Sequence, residues 1–162
     1  MASYSGELLR FENGRFRRFK VTEGNYYRRI HSLFADKSGR LWIGTSEKWL
    51  LRLDHPETEP LQTIAYTTAD GLSSNDILSI TEDHYGNIWL GTGRGLDRLN
   101  PATKQVRRYT TADGLASNVV LSVKLDKQGA LWIGTLSGLS RFIPEPDLPT
   151  PPPPVFIRGL QV

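Results

Sequence analysis

The sequence shows no group of side chains whose types and spacing together suit catalysis. The three histidines, His31, His55 and His84, lack the spacing of metal ligands. The chain has no cysteine, which excludes a thiolate zinc site and a cysteine nucleophile. The glycine-rich segment Gly91-Thr-Gly-Arg-Gly95 precedes no predicted helix, so it lacks the context of a phosphate-binding loop. We therefore expect no catalytic residue, no metal and no cofactor.

Residue types suited to ligand binding cluster in the first third of the chain. Two segments carry them, Asn25-Tyr-Tyr-Arg-Arg29 and Ser46-Glu-Lys-Trp49. Aromatic planes and forked arginine donors together suit sugars and anionic groups such as uronates, sulfates and carboxylates. The alternative is that these aromatic side chains pack against a neighbouring part of the protein. The candidate ligand-binding residues in this region are Tyr26, Tyr27, Arg28, Arg29 and Trp49.

A basic cluster near the N-terminus is interleaved with phenylalanines, a pattern that can form a nucleic-acid surface. The formal net charge is only +3, however, and alternation places the phenylalanines on the buried side of a strand. Arg107 and Arg108 repeat the pattern, which favours a solvated outer wall, so we expect no nucleic-acid partner. The residues of this cluster are Arg10, Arg15, Arg17, Arg18 and Lys20.

An internal repeat sets the positions of all these residues. The motif Asp-x-x-Gly-x-x-Trp-x-Gly-Thr occurs three times, at residues 36–45, 83–92 and 126–135. A second motif, Tyr-Thr-Thr-Ala-Asp-Gly-Leu, precedes the later copies at 66–72 and 109–115. A period of about 45 residues filled with short alternating strands is typical of β-propeller blades.

Each period divides into four predicted strands, for example Ile77 to Glu82, Ile88 to Thr92, Leu96 to Leu99 and Gln105 to Tyr109. Glu7 to Phe11 and Arg15 to Phe19 match the third and fourth strands, so the chain enters in the middle of a blade. The sequence therefore predicts an all-β fold, a partial propeller of about three to three and a half blades of four antiparallel strands. The blade boundaries are expected near residues 20, 67 and 110.

The residues of the repeat motif are expected to be structural. The aspartates should form tight turns, the tryptophans should be core residues in the wedge between blades, and glycine should permit close approach of neighbouring backbone. Asn75 and Asn118 lie in equivalent loops, where they either hold the loop or contact a ligand. The structural residues are Asp36, Gly39, Trp42, Gly44, Asp83, Gly86, Trp89, Gly91, Asp126, Gly129, Trp132 and Gly134.

The motif Asp-Gly-Leu-x-Ser-Asn, followed by the tryptophan motif, resembles the two-component regulator propeller repeat over roughly residues 7 to 142. This resemblance implies a non-catalytic ligand-sensing ectodomain of bacterial sensor kinases, located in the periplasm. The strand count and the proline-rich composition after Phe142 further predict a partial propeller over residues 1–143 and a stiff linker over 144–154. Residues 155–162 would be the first strand of a truncated immunoglobulin-like domain of the Y_Y_Y type. The chain would thus be the last part of a longer sensor propeller.

Two other functions stay open at the level of sequence. Open blade edges can recruit strands from another chain, so the protein could be an interaction scaffold or a homodimer. A propeller-fold polysaccharide lyase or hydrolase is a further alternative, although no convergent acid–base pair supports it. The chain shows neither an export signal nor an apolar segment long enough to cross a membrane.

Overall fold

The computed structural model describes residues 7–20, 29–46 and 49–146, and these are mostly β-structure. In this part of the chain, thirteen strands form antiparallel sheets of two, four, four and three strands. Two single-turn 3₁₀ helices, Thr68–Asp70 and Thr111–Asp113, lie in the loops that precede the last two sheets. The prediction of an all-β fold built from antiparallel propeller blades is confirmed.

The sheets follow one another in chain order. The first is a hairpin of β1 (Glu7–Glu12) and β2 (Arg15–Lys20). Blade A contains β3 (Ile30–Ala35), β4 (Leu41–Thr45), β5 (Leu50–Leu53) and β6 (Ile64–Tyr66). Blade B contains β7 (Ile77–Glu82), β8 (Ile88–Thr92), β9 (Gly95–Leu99) and β10 (Val106–Tyr109). Blade C contains β11 (Val120–Leu125), β12 (Leu131–Thr135) and β13 (Gly138–Phe142).

Residues 143–146 follow β13 without regular secondary structure. Residues 147–154 of the predicted linker lie outside the described residues, and so does the predicted immunoglobulin-like strand at 155–162.

An aspartate clamps the turn between the first two strands of each blade. In blade B, one carboxylate oxygen of Asp83 accepts hydrogen bonds from the backbone N–H groups of Tyr85 (2.8 Å) and Asn87 (2.9 Å). The other oxygen accepts the indole N–H of Trp89 at 2.8 Å. Gly86 closes the turn with φ of +81°, a conformation that favours glycine. A single side chain thus joins the turn to the tryptophan.

The same clamp occurs in the other two blades. Trp42 donates to Asp36 and Trp132 donates to Asp126, each at 2.8 Å. Burial opposes the ionisation of Asp36, but the bonds from Trp42 and Arg40 outweigh it and lower its pKa. The bond from Trp132, with those from the turn backbone, likewise holds the pKa of Asp126 below its ordinary value. Ionised carboxylates therefore hold these turns together.

The clamped tryptophans fill the spaces between neighbouring blades. Trp42 and Trp89 are both 0% exposed. Trp42 lies in one core cluster with Ile77 and Ile80 of blade B. Trp89 lies in a second cluster with residues of blade C. Most of the core therefore sits between the sheets, so each blade depends on the next for its burial.

The expectation that all three tryptophans are core residues is wrong for Trp132. It makes the clamp hydrogen bond but is 39% exposed. The physical reason is that, within the described residues, no strand packs on this side of blade C.

Two motif glycines lie where the next blade approaches most closely. A Cβ atom on Gly44 would lie 2.8 Å from the carbonyl oxygen of Ile77, which begins blade B. A Cβ atom on Gly91 would lie 3.0 Å from the carbonyl oxygen of Val120, which begins blade C. Any side chain at these positions would separate the blades.

The substitution Gly44→Ala is expected to lower the free energy of unfolding by about 1–3 kcal/mol, because the added methyl group meets fixed backbone. Gly93→Ala is the matched control, since a Cβ atom there would meet nothing within 4 Å. Urea denaturation of both variants measures the difference. Equal stability of the two variants would show that the blades are not in tight contact at Gly44.

Candidate functional site

One face of the blade stack carries the sequence-predicted binding residues that the structure describes, which are Arg29, Trp49, Asn75 and Asn118. In blade B, Ile77 pairs with Thr92 and Thr92 pairs with Gly95, so the start of the first strand lies beside the turn between the second and third. We call this the entry-loop face. It is formed by the loops that enter the first strands, such as 67–76 and 110–119, and by the turns after the second strands.

The entry loops of blades B and C are held rigid by their own side chains. Thr67 and Asp70 form a capping box around the 3₁₀ turn, and Gly71 ends it with φ of +99°. The side-chain oxygen of Asn75 accepts the backbone N–H of Thr68 at 2.9 Å. Asn118 makes the equivalent bond to Thr111 at 2.8 Å. The side-chain oxygens of both asparagines are therefore used within their loops.

The binding cluster predicted in blade A is described in part. Arg29 is exposed, and its carbonyl oxygen accepts the backbone N–H of Ser46 at 3.0 Å. This bond brings the end of the entry loop against the turn that leads to Trp49. Tyr26, Tyr27 and Arg28 lie outside the described residues.

Trp49 is half-buried and packs against the cluster of Ile43, Leu51 and Leu53 in its own blade. Thr45 fixes the turn, because its hydroxyl donates to the carbonyl oxygen of Trp49 at 2.7 Å. The indole therefore serves the packing of blade A and retains a partly exposed surface.

A buried carboxylate beneath the entry-loop face was missed by sequence reasoning. Asp97 is fully buried, and one of its oxygens accepts the backbone N–H of Ser73 at 2.7 Å. Its other oxygen has no hydrogen-bond partner. Burial raises the pKa of Asp97, although the bonds from Ser73 and the charge of Arg108 oppose this shift. The sequence does mark Asp97 as unusual, because the other two repeats have Leu51 and Ser140 at the same position.

A recurrent arginine was also missed. The guanidinium groups of Arg52, Arg98 and Arg141 lie over the rings of Trp42, Trp89 and Trp132, at 5.7, 5.9 and 5.8 Å from the ring centroids. Each arginine pairs directly with its tryptophan across the second and third strands. These cation–π contacts support the wedge between blades. An arginine at the same repeat position in every blade is the signal that could have revealed them.

The histidines do not converge on a site. His31 lies 4.0 Å from a carboxylate oxygen of Asp76, and His55 lies 3.5 Å from one of Glu57. His84 is exposed in the clamped turn of blade B. Among the residues that the structure describes, no group of three or more histidine, aspartate or glutamate side chains could hold a metal ion.

Stacked antiparallel blades with a buried tryptophan between them define this part of the chain as a segment of a β-propeller. The sequence pattern of the family described as "Two component regulator propeller" matches residues 27–47, 71–94 and 114–137. The chain thus carries three copies of this family's repeat, as its sequence predicted. No curated protein matches the chain significantly.

Two similar solved structures are extracellular domains from B. thetaiotaomicron. The domain assigned to the hybrid two-component system BT3049 is 26% identical, with a TM-score of 0.73 over 86% of this chain and 19% of that one. The domain assigned to the hybrid two-component system BT4673 is 24% identical, with a TM-score of 0.72 over 87% of this chain and 19% of that one. The chain thus spans 19% of the length of each of these structures.

An enzyme also shares the fold, with a lower TM-score and a lower sequence identity. Virginiamycin B lyase from Staphylococcus aureus is 18% identical, with a TM-score of 0.60 over 91% of this chain and 50% of that one. This likeness shows the fold alone, and the two extracellular domains match with higher TM-scores. No helix in the described part of the chain is long and apolar enough to cross a membrane.

Asp97→Asn is expected to stabilise the protein at pH 8 relative to the wild type, with a smaller difference at pH 5. The raised pKa means that the folded state keeps a proton which the unfolded chain loses, so stability falls as the pH rises through the folded pKa. Asparagine stays neutral and can still accept the Ser73 N–H. Urea denaturation at both pH values measures this. A wild-type protein that gains stability relative to the variant as the pH rises would contradict the assignment.

Proposed function

We propose that this chain is part of a non-catalytic, ligand-sensing ectodomain of a bacterial two-component regulator, located in the periplasm when it belongs to the whole sensor. The supporting observations are the three family repeats and the likeness to the extracellular domain of a hybrid two-component system. No chemical step is required of the chain. Ligand binding would bias the packing between blades and the parts of the sensor that follow.

We further propose that the ligand is a carbohydrate or another small molecule with anionic groups, bound at the entry-loop face of blade A. The observation that carries this proposal is the hydrogen bond from Ser46 to Arg29, which joins two loops that differ in sequence from those of the other blades. Arg29, which is exposed, supplies a forked donor, and Trp49, which is half-buried, supplies part of an aromatic surface. In the other two blades, Asn75 and Asn118 brace their entry loops.

Arg29→Ala is expected to weaken binding at least about tenfold, because a charge-assisted bond to an anionic sugar is lost. The measurement is calorimetric titration with uronate-containing, sulfated and neutral oligosaccharides. Arg94→Ala is the matched control, since Arg94 is exposed on the same face in blade B. Equal affinities of the two variants would place the ligand elsewhere. A loss of melting temperature in Arg29→Ala without any ligand found would favour a packing role for this loop.

A further inference from the structure

The last residue of each entry loop differs between the blades, although its backbone is held in the same way. In blade B the backbone N–H of Asp76 donates to the hydroxyl of Ser74 at 3.0 Å. In blade C the backbone N–H of Val119 makes the equivalent bond to Ser117 at 3.2 Å. Blade A has Arg29 at this repeat position. The loop thus fixes the backbone here while the side chain varies, which is typical of a position that meets a ligand.

His31 lies at a second position where blade A departs from the other blades. The pairing of the first two strands of blade A shifts register there, between Ile30 and Ser32. The same β-bulge occurs in blades B and C, where the residues at this position are Leu78 and Leu121. Bulges re-aim side chains and are frequent next to active sites. Blade A therefore carries an imidazole where the other two blades carry a leucine.

These two variable positions meet where blade A adjoins blade B. The Nε2 atom of His31 lies 4.0 Å from the Oδ1 atom of Asp76, which is too far for a hydrogen bond. This Oδ1 atom is buried and has no hydrogen-bond partner among the described residues. The side chain of Asp76 is nevertheless 41% exposed, so its open surface lies on the side of the other oxygen. Blades A and B thus share a polar pair at positions where blades B and C have Leu78 and Val119.

The chemistry of this pair favours a ligand with hydroxyl groups. A carboxylate only accepts hydrogen bonds, so a ligand at Asp76 must offer hydroxyl or ammonium donors. Arg29 lies two residues before His31, about 7 Å along an extended chain. Its positive charge disfavours an ammonium group on the ligand and attracts an acidic one. A ligand that satisfies both residues carries an acidic group and hydroxyl groups a short distance apart, as a sugar acid does.

We propose that Asp76 binds the hydroxyl groups of a sugar acid, such as a uronate, whose acidic group is bound by Arg29. The open oxygen of Asp76 accepts the hydroxyl hydrogen bonds, and His31 is a positioning residue that holds the carboxylate at the junction of the two blades. This inference rests on the proposed function. It narrows the ligand from any anionic small molecule to a hydroxylated acid.

The test is calorimetric titration with uronate disaccharides of the gluco and galacto series, each with free hydroxyls and in an O-methylated form that keeps the carboxylates. Asp76→Val is expected to weaken binding of the free form at least about tenfold and to change that of the methylated form by less than about twofold. The reason is that only the free form has hydroxyl hydrogens to donate. Valine is the natural residue at this position in blade C, so the variant is expected to fold.

His31→Leu, which copies Leu78, is expected to weaken binding of the free form about threefold and to leave the methylated form unchanged. The matched controls are His55→Leu and Glu57→Val. These residues form a similar pair at 3.5 Å in the loop between β5 and β6, at the opposite ends of the strands from the entry-loop face. Both control variants are expected to bind the two forms like the wild type.

The outcomes separate this inference from the function on which it rests. If Asp76→Val weakens both forms equally or neither, the inference is overturned, and a loss of binding in Arg29→Ala then leaves the proposed function standing. A wild type that binds none of the disaccharides overturns the sugar acid as ligand and the role of Asp76 with it. Melting temperatures of Asp76→Val and His31→Leu are expected to stay near that of the wild type, because an exposed ion pair contributes little. A lower melting temperature with unchanged affinities would assign the pair to blade packing.

Discussion

The structure depends on one hydrogen bond, from the tryptophan indole to the turn aspartate, which recurs at 2.8 Å in all three described blades. It fixes the ring on the face of its own sheet that meets the next blade. Each blade is too thin to bury a core of its own, so the tryptophan must be covered by its neighbour. Glycine at the close-approach position, such as Gly44 or Gly91, lets the neighbour come near enough.

This constraint explains how much of the fold the sequence predicts. Asp, Gly and Trp at fixed spacing specify a tight turn and a buried ring, and alternation specifies the strands, so Ile77–Glu82 and Ile88–Thr92 were both predicted correctly. Periodicity assumes that every repeat has the same neighbours. It therefore predicted Trp132 to be buried, although no described strand covers it.

The candidate site was harder to predict because it lies where the repeat is broken. The sequence pointed to Arg29 and Trp49 as departures from the pattern, but it could not show that the indole packs on Ile43 and Leu51 of its own blade. Asp97 escaped notice because a single carboxylate in an alternating strand looks solvent-facing. Its burial follows only from the loop folded over it at Ser73. A propeller segment thus keeps its scaffold regular and varies the loops that can meet a ligand.

The most direct test of this account compares the free energies of unfolding of Trp89→Leu and Trp132→Leu. Both changes remove the same hydrogen bond to the turn aspartate, but only Trp89 is buried by a following blade. We predict that Trp89→Leu costs at least about 3 kcal/mol and that Trp132→Leu costs far less, measured at a concentration where the chain is monomeric. Equal losses would contradict the claim that burial between blades holds the stack together.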